Sequence, residues 1–537
     1  MRAKIRRFTV CSAALIGAAA LAFNPAYAQQ PKRGGTLTMV LGTEPTALST
    51  IASTALAVAV VHPKVFDSLL EYTGAELTPR PGIAESWSVS DDQRTWTFKL
   101  RRDVKFHDSR PMTSADVKFS IEKIVHPYHS RGRVNFQQLE AIETPDPHTV
   151  VFKLKGPQPY FLKIFQAGEV PIMPKHVLDT PEYADLSKIR SSEFMQKPIG
   201  TGPFRLVEFR KGSHVLLERH PEYWKKDRPY LDRIIFRVLP DDTARVIAME
   251  KGEADVAVYG TLPESDIERL TKLPHIQHSN EGMDGIGPVA NLTFNVRDKL
   301  MGDPKVREAI SLALDRRAIS NVIFYGLAKP TTSPIFPGNP LFNKALPPYK
   351  YDLKRANELL DEAGYKRAAG GVRFVMTLDF LPYGATWQRL ADYTRAQLRQ
   401  IGIDATIRSL DLGAWLKVIY TDWDFQATFN FGNTYADPAI GVGRYYVSSS
   451  IRKGAPFTNG AGYANPRVDE LFANAAVESD PVKRKAMYDE VQEVMYRELP
   501  VAQLVAMPTT TVWNRRVHNL IANGISAYTG YADVWIE

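Results

Sequence analysis

Between residues 95 and 100 the chain alternates, with Trp96, Phe98 and Leu100 on one face and Thr95, Thr97 and Lys99 on the other. A period of two is that of a strand half buried against a core. Val104 and Phe106 resume the alternation after Arg101-Arg102-Asp103, and Val117, Ile121 and Ile124 then fall at helical spacing. Ser114 stands before that run and has the side chain of an N-cap. The same two periods predict strands over residues 36–41, 150–154, 204–209 and 234–239, with another following Gly252. A buried helix is predicted over 58–70 and an amphipathic one over 242–251. From residue 292 the texture becomes more helical. Three helices are predicted to open on an Asp or Asn cap followed by proline, at Asp303-Pro304, Asn465-Pro466 and Asp480-Pro481. Proline is tolerated there because its missing N–H had no intrahelical partner. Asp352 predicts a fourth cap, for a helix over 353–363 that Gly364 closes. Strands over 374–378, 403–407 and 425–429 complete a strand–helix alternation that predicts two mixed α/β lobes.

A chain of 537 residues is too long for one ordinary core, which agrees with two or three lobes. Its 44% hydrophobic and 23% charged content is that of a globular protein. The formal net charge of +8 is unevenly placed, because Arg2, Lys4, Arg6 and Arg7 precede an apolar run over 10–23 that ends near Ala26-Tyr27-Ala28. Basic start, apolar middle and small-residue end predict a signal peptide over residues 1–28, cleaved after Ala28. The run is shorter than the ~20 residues a spanning helix needs. Removing those four cations halves the net charge, and no Lys/Arg stripe with interleaved aromatics suggests a nucleic-acid partner. The only cysteine, Cys11, stands at the head of the apolar run and ahead of the cleavage site, where it suits neither a lipid anchor nor a disulfide in the mature chain.

Motifs of catalysis are missing. Neither a Gly-x-Ser-x-Gly elbow nor a His-Glu-x-x-His metal motif occurs. His126/His129 and His275/His278 are each three apart, but without a neighbouring carboxylate two histidines make an incomplete metal site. Gly200-Thr201-Gly202 lacks the Gly-Lys-Ser/Thr ending of a phosphate loop and reads as a structural turn. Aromatic residues instead cluster: Trp423, Phe425, Phe429, Phe431, Tyr435, Tyr445 and Tyr446 surround Asp437-Pro438. Phe425 and Phe429 read as core. Phe431, Tyr435 and Asp437 are candidates to line a pocket that holds an organic ligand through apolar area and a few directed hydrogen bonds.

Residues 79–124 bring together Ala84-Glu-Ser-Trp87, Trp96-Thr-Phe-Lys-Leu-Arg101, Val104-Lys-Phe-His-Asp108 and Thr113-Ser-Ala-Asp-Val117. Further along come Pro198-Ile-Gly-Thr-Gly-Pro-Phe204, Arg219-His-Pro-Glu-Tyr-Trp224, Leu292-Thr-Phe-Asn295, Asp303-Pro-Lys-Val-Arg-Glu-Ala-Ile310, Ala313-Leu-Asp-Arg316 and Tyr351-Asp-Leu-Lys-Arg-Ala356. In this order the motifs resemble family 5 of the ABC-transporter solute-binding proteins, the dipeptide/oligopeptide-binding group. The resemblance implies an α/β fold of the periplasmic-binding-protein type II kind, two lobes joined by a hinge, with an extra subdomain in the N-terminal lobe. It places lobe I at 29–78, 199–287 and 506–537, the subdomain at 79–198 and lobe II at 288–505. It further implies a monomer in the periplasm that traps a peptide or peptide-like solute between the lobes and presents it to an inner-membrane ABC permease, with no cofactor, no metal site and no catalysis. Opines, glycosides and metal chelates or haem are the alternative ligands. An exported hydrolase is the alternative function, against which the missing nucleophile motif stands.

Peptide-binding relatives carry an aromatic, three residues later an aspartate for the peptide's ammonium group, then an acid–proline pair. Phe431 and Asp437-Pro438 resemble the first and last of these, while Thr434 stands where the aspartate belongs. A hydroxyl does not neutralise an ammonium group in a water-poor cleft. The ligand residues expected from the resemblance are therefore Phe431, Thr434, Tyr435 and Asp437, with Tyr445 and Tyr446 from lobe II and Thr43 and Glu44 after the first strand.

Overall fold

Two mixed sheets, each sheathed in helices, divide the protein in the computed structural model, which describes residues 30–537. The predicted leader and Cys11 lie outside the described residues. The first sheet has seven strands, in the order Ile276–Ser279, Thr511–Asn514, Val256–Ala257, Thr36–Leu41, Arg233–Val238, His214–Arg219 and Phe204–Arg210. The second has six: Lys329–Pro330, Val501–Ala506, Pro288–Phe294, Ala427–Asn433, Phe374–Phe380 and Ile403–Arg408. Thr36–Leu41 runs parallel to Arg233–Val238, and the C-terminal strand Thr511–Asn514 joins the sheet that the N-terminus began. The chain thus passes between the sheets twice, between residues 279 and 288 and between 506 and 511.

A four-stranded antiparallel sheet, Ala84–Val89, Thr95–Leu100, Thr149–Leu154 and Leu139–Asp146, stands beside the first lobe. The alternation read in the sequence holds here, since Phe98 and Leu100 are buried and Lys99 is exposed. Phe98 meets Phe152 edge-on at 5.5 Å, and Phe161 meets Phe165 at 5.0 Å, an aromatic core of the kind that favours tilted and T-shaped contacts.

Local cap chemistry sets the helix starts in the second lobe. Asp303, Asn465 and Asp480 accept the N–H groups of Lys305, Arg467 and Val482 at 2.9, 2.9 and 2.8 Å, as the sequence predicts. Asp352 caps Leu353–Glu362, and Gly364 follows that helix with φ of 87°. At the helix Ser114–Phe119 the expected cap is corrected by one residue. Thr113 is the extended residue before it, and the Asp116 carboxylate accepts the Thr113 N–H at 2.8 Å, while the Ser114 hydroxyl donates to the Asp146 carbonyl. The helix expected over 58–70 is observed as Leu56–Val65. Gly202 N–H bonds the Val65 carbonyl at 2.9 Å there, and a Cβ on Gly200 would lie 2.0 Å from the same oxygen. The Gly-Thr-Gly turn is accordingly a close-packing device. The strand expected over 425–429 lies two residues later, at Ala427–Asn433, which leaves Phe425 in the core and brings Phe431 into the sheet.

Candidate functional site

Ala427–Asn433 is an inner strand, paired antiparallel to Pro288–Phe294 and parallel to Phe374–Phe380. Its end delivers a half-buried Phe431, whose ring stacks on Trp387 at 6.0 Å and 26° and lies 6.4 Å from Tyr383. The chain then turns. Thr434 and Tyr435 donate their N–H groups to the carbonyls of Gly287 and Ile286 at 3.1 and 2.9 Å, which ties the turn to the crossover segment between the sheets. Tyr435 takes φ of 55°, unusual for an aromatic residue. Gly441 closes the turn, because a Cβ there would sit 2.2 Å from the carbonyl oxygens of both Asn433 and Thr434. Gly441→Ala is expected to cost ~1–3 kcal/mol in urea unfolding, as overpacking against fixed atoms does. An unchanged midpoint would mean that the 433–441 turn gives way freely.

Two expected ligand residues are engaged by partners within the fold. Thr434 is 1% exposed, and its hydroxyl oxygen accepts the Phe336 N–H at 2.8 Å. Asp437 is 3% exposed and takes a two-pronged contact from Arg484, at 2.7 and 2.8 Å, while it caps the turn through the Ala439 N–H. Both hold the loop that presents Tyr435. Tyr446 is buried and its phenol oxygen accepts from Gln503 at 2.8 Å. Thr43 and Glu44 are exposed, and Glu44 accepts the N–H of Gly212 in the hairpin between two first-sheet strands. No hydrogen bond or ring contact among the described residues joins either to Phe431 or Tyr435.

Tyr435 reaches across to the subdomain. The Arg131 guanidinium lies 4.4 Å above its ring and donates to its hydroxyl at 3.2 Å, and Asn433 donates to the same oxygen at 3.3 Å. Arg131 is itself fixed by Glu169, with Nε 2.8 Å from one carboxylate oxygen and a further bond from Nη2. Asn135 donates to Glu169 as well. Burial works against both charges, but each outweighs the penalty for the other: Arg131 is held above its ordinary range and Glu169 below the usual carboxylate range. Ala436 and Ile440 follow Tyr435 into the apolar cluster of the first lobe. Thr386 also bridges the lobes, donating to Glu264 at 2.7 Å.

Further tyrosines gather round this bridge. Tyr259 and Tyr528 of the first lobe share a hydrogen bond of 2.5 Å, and Tyr528 lies within the field of Arg131. On the other side, Arg444 donates to the Tyr445 hydroxyl at 2.6 Å with its guanidinium 4.7 Å above that ring. Tyr445 packs against Gly432 and borders a small recess with Asn430, Asn433, Tyr446 and Gln503. Arg444 makes no ion pair among the described residues, and its buried Nε has no hydrogen-bond partner. The structure therefore unites Phe431, Tyr435 and Tyr445 of the expected set. It adds Arg131, Glu169, Tyr259, Trp387, Tyr383, Arg444 and Tyr528, of which only Arg444, beside Tyr445, stood near a sequence signal.

The family model for bacterial extracellular solute-binding proteins, family 5 (middle), matches residues 78–455. Glutathione-binding protein GsiB of Escherichia coli (strain K12) is 28% identical over 464 residues, 84% of each chain. Among solved structures, the periplasmic binding protein DppA from Helicobacter pylori in complex with peptide STSA is similar at a TM-score of 0.83 and 26% identity, covering 94% of this chain and 99% of that one. The binding protein AgaA from A. tumefacien R10, in complex with agropinic acid, is similar at a TM-score of 0.78 and 26% identity, with the same coverage.

Proposed function

The chain belongs to the bacterial extracellular solute-binding proteins, family 5, and on that premise we propose that it captures a carboxylate-bearing, peptide-like organic solute between its lobes and delivers it to an ABC importer. Glutathione, a peptide and agropinic acid, the ligands named for its relatives, all carry free carboxylates. Arg444 is the observation that carries the reading. It is a half-buried cation beside an aromatic recess without a protein anion, which is the complement of a ligand carboxylate. Phe431 on Trp387 supplies an apolar platform, and the tyrosines offer hydroxyls to a polar solute. With Glu169 and Asp437 both paired to arginines, the amine of a plain peptide meets no free carboxylate from either.

The bridge from Tyr435 to Arg131 supports a closed state in which the two lobes meet. A solute favours that state only as far as it binds it more tightly. The leader ending at Ala28 exports the protein to the periplasm, where it acts as a monomer without turnover and presents its closed form to an inner-membrane permease. No helix among the described residues is long and apolar enough to cross a membrane.

Native mass spectrometry of protein purified without refolding identifies the retained solute. Calorimetry with glutathione as the first probe then tests the anchor. Arg444→Ala is expected to weaken binding about tenfold or more, the worth of a charge-assisted hydrogen bond, with the unfolding temperature unchanged. Equal affinity in variant and parent would assign the carboxylate to another residue.

A further inference from the structure

A second pocket stands away from the turn after Phe431. Residues from segments 63–82, 166–167, 223–225 and 519–534 line it, and none comes from the second lobe. At its wall stands Asp67, half-buried, whose two carboxylate oxygens accept from Trp224 Nε1 at 3.0 Å and Tyr223 Oη at 3.3 Å. No lysine or arginine lies within ion-pair distance of it among the described residues. The neighbouring charges are otherwise paired, except Lys64, whose buried amine donates to the Ala527 carbonyl at 2.8 Å and lies 3.7 Å from the centre of the Tyr531 ring. Lys225 pairs with Glu71 at 2.6 Å and stands 3.6 Å from Asp533, Arg80 pairs with Glu71 at 3.0 Å, and Arg228 from outside the cavity pairs with Asp533 at 2.6 Å. Asp67, Glu71 and Asp533 thus outnumber Arg80 and Lys225 along the lining.

We propose that this cavity is a second binding site, for a small organic cation whose ammonium group meets Asp67 and whose apolar body lies against Phe66, Tyr72 and Tyr531. A carboxylate with two neutral donors retains acceptor capacity, and the ammonium group supplies the charge that the protein withholds. Burial, against which the Trp224 bond works, pushes the Asp67 carboxyl up to about 7, so near neutral pH it is only partly ionised, and a neighbouring ammonium group would favour its ionised form. The cavity adjoins the tyrosine cluster described above. Tyr528 lines it while bonding Tyr259, and Gln166 and Ala167 line it three and two residues before Glu169, the partner of Arg131.

Calorimetry on the full mature protein tests the site with tyramine and its neutral analogue 4-ethylphenol. Tyramine is expected to bind at least tenfold more tightly. Asp67→Asn, nearly isosteric and still able to accept from Trp224, is expected to abolish that preference while circular dichroism stays that of the parent. Arg444→Ala, beside the recess that Tyr445 borders, is expected to leave tyramine binding intact. The proposal is overturned if the wild-type protein does not discriminate tyramine from 4-ethylphenol, a result that needs no variant to fold. Loss of tyramine binding in Arg444→Ala would overturn it too, by placing the amine in the solute cleft.

Discussion

Arg131→Ala is expected to destabilise the protein by roughly 3–5 kcal/mol, the cost of leaving one member of a buried ion pair without the other. Glu169 would keep only Asn135 as a direct hydrogen-bond donor, inside a cluster where both members of the pair are less than one-tenth exposed. Its carboxyl then responds to burial with only the Asn135 bond and the neighbouring His129 against it. In the parent protein the folded-state pKa of Glu169 lies below its ordinary value, so the pair adds stability above that value and loses it as pH falls. In the variant the sign reverses. A raised folded-state pKa makes the unfolded chain the first to ionise, and stability falls as pH rises from the ordinary carboxylate range toward neutrality. Urea titrations at pH 4.5, 6 and 7.5 check both size and slope. Arg131→Met combined with Glu169→Leu should recover much of the loss, since a well-packed apolar pair replaces buried ions at little cost. A loss below 1 kcal/mol with no change of slope would show that the pair is solvated.

The same variant reports on the lobe junction. Tyr435 loses the cation above its ring and the Arg131 donor to its hydroxyl, which leaves the bond from Lys163 to the Ala436 carbonyl at 3.4 Å as a direct link from the subdomain to the turn after Phe431. Arg131→Lys keeps the charge but not the fork that engages Glu169 and Tyr435 together. Its expected effect is a weaker solute affinity at a smaller cost in stability, with scattering from the apo protein shifted toward a more open shape.

Local and distant chemistry explain what could be read in the sequence. Caps such as Asp303, Asn465 and Asp480 act on N–H groups two residues ahead, so the helix starts were legible to the residue. Ser114 was misassigned because Thr113 and Ser114 are equally good caps by type, and only the backbone decides which is extended. Alternation identified the buried Phe98 and Leu100, and aromatic density pointed to the turn after Phe431. What each side chain does at that turn depends on partners far along the chain. Thr434 meets Phe336, 98 residues earlier, and Tyr435 meets Arg131, 304 residues earlier. Neither separation leaves a periodic trace. An aspartate beside a candidate site looks the same in the sequence whether it faces a ligand or an arginine of its own fold.

Asp437 is where those two roles part by experiment. If its carboxylate gripped the solute, Asp437→Ala would weaken binding and leave stability alone. The observed pairing predicts the opposite order of effects. Arg484 is buried beneath Tyr160 and Tyr488, with further bonds from Nε to the Ala475 carbonyl at 2.7 Å and from Nη2 to the Tyr488 hydroxyl at 3.4 Å. Removing the carboxylate strands that guanidinium at an expected cost of about 3–5 kcal/mol, and removing the Ala439 N–H acceptor adds the ~1 kcal/mol typical of a lost cap. Asp437→Asn keeps an acceptor for the cap but not the charge, so its cost should fall between the parent and the alanine variant. Solute affinity of the folded fraction should drop less than for Arg444→Ala, because Asp437 reaches the solute only by holding the loop that carries Tyr435. Stability by urea unfolding and affinity by calorimetry, measured on the same preparations, separate the cases. A stable Asp437→Ala protein with its affinity gone would return Asp437 to the solute and release Arg484 from its structural role.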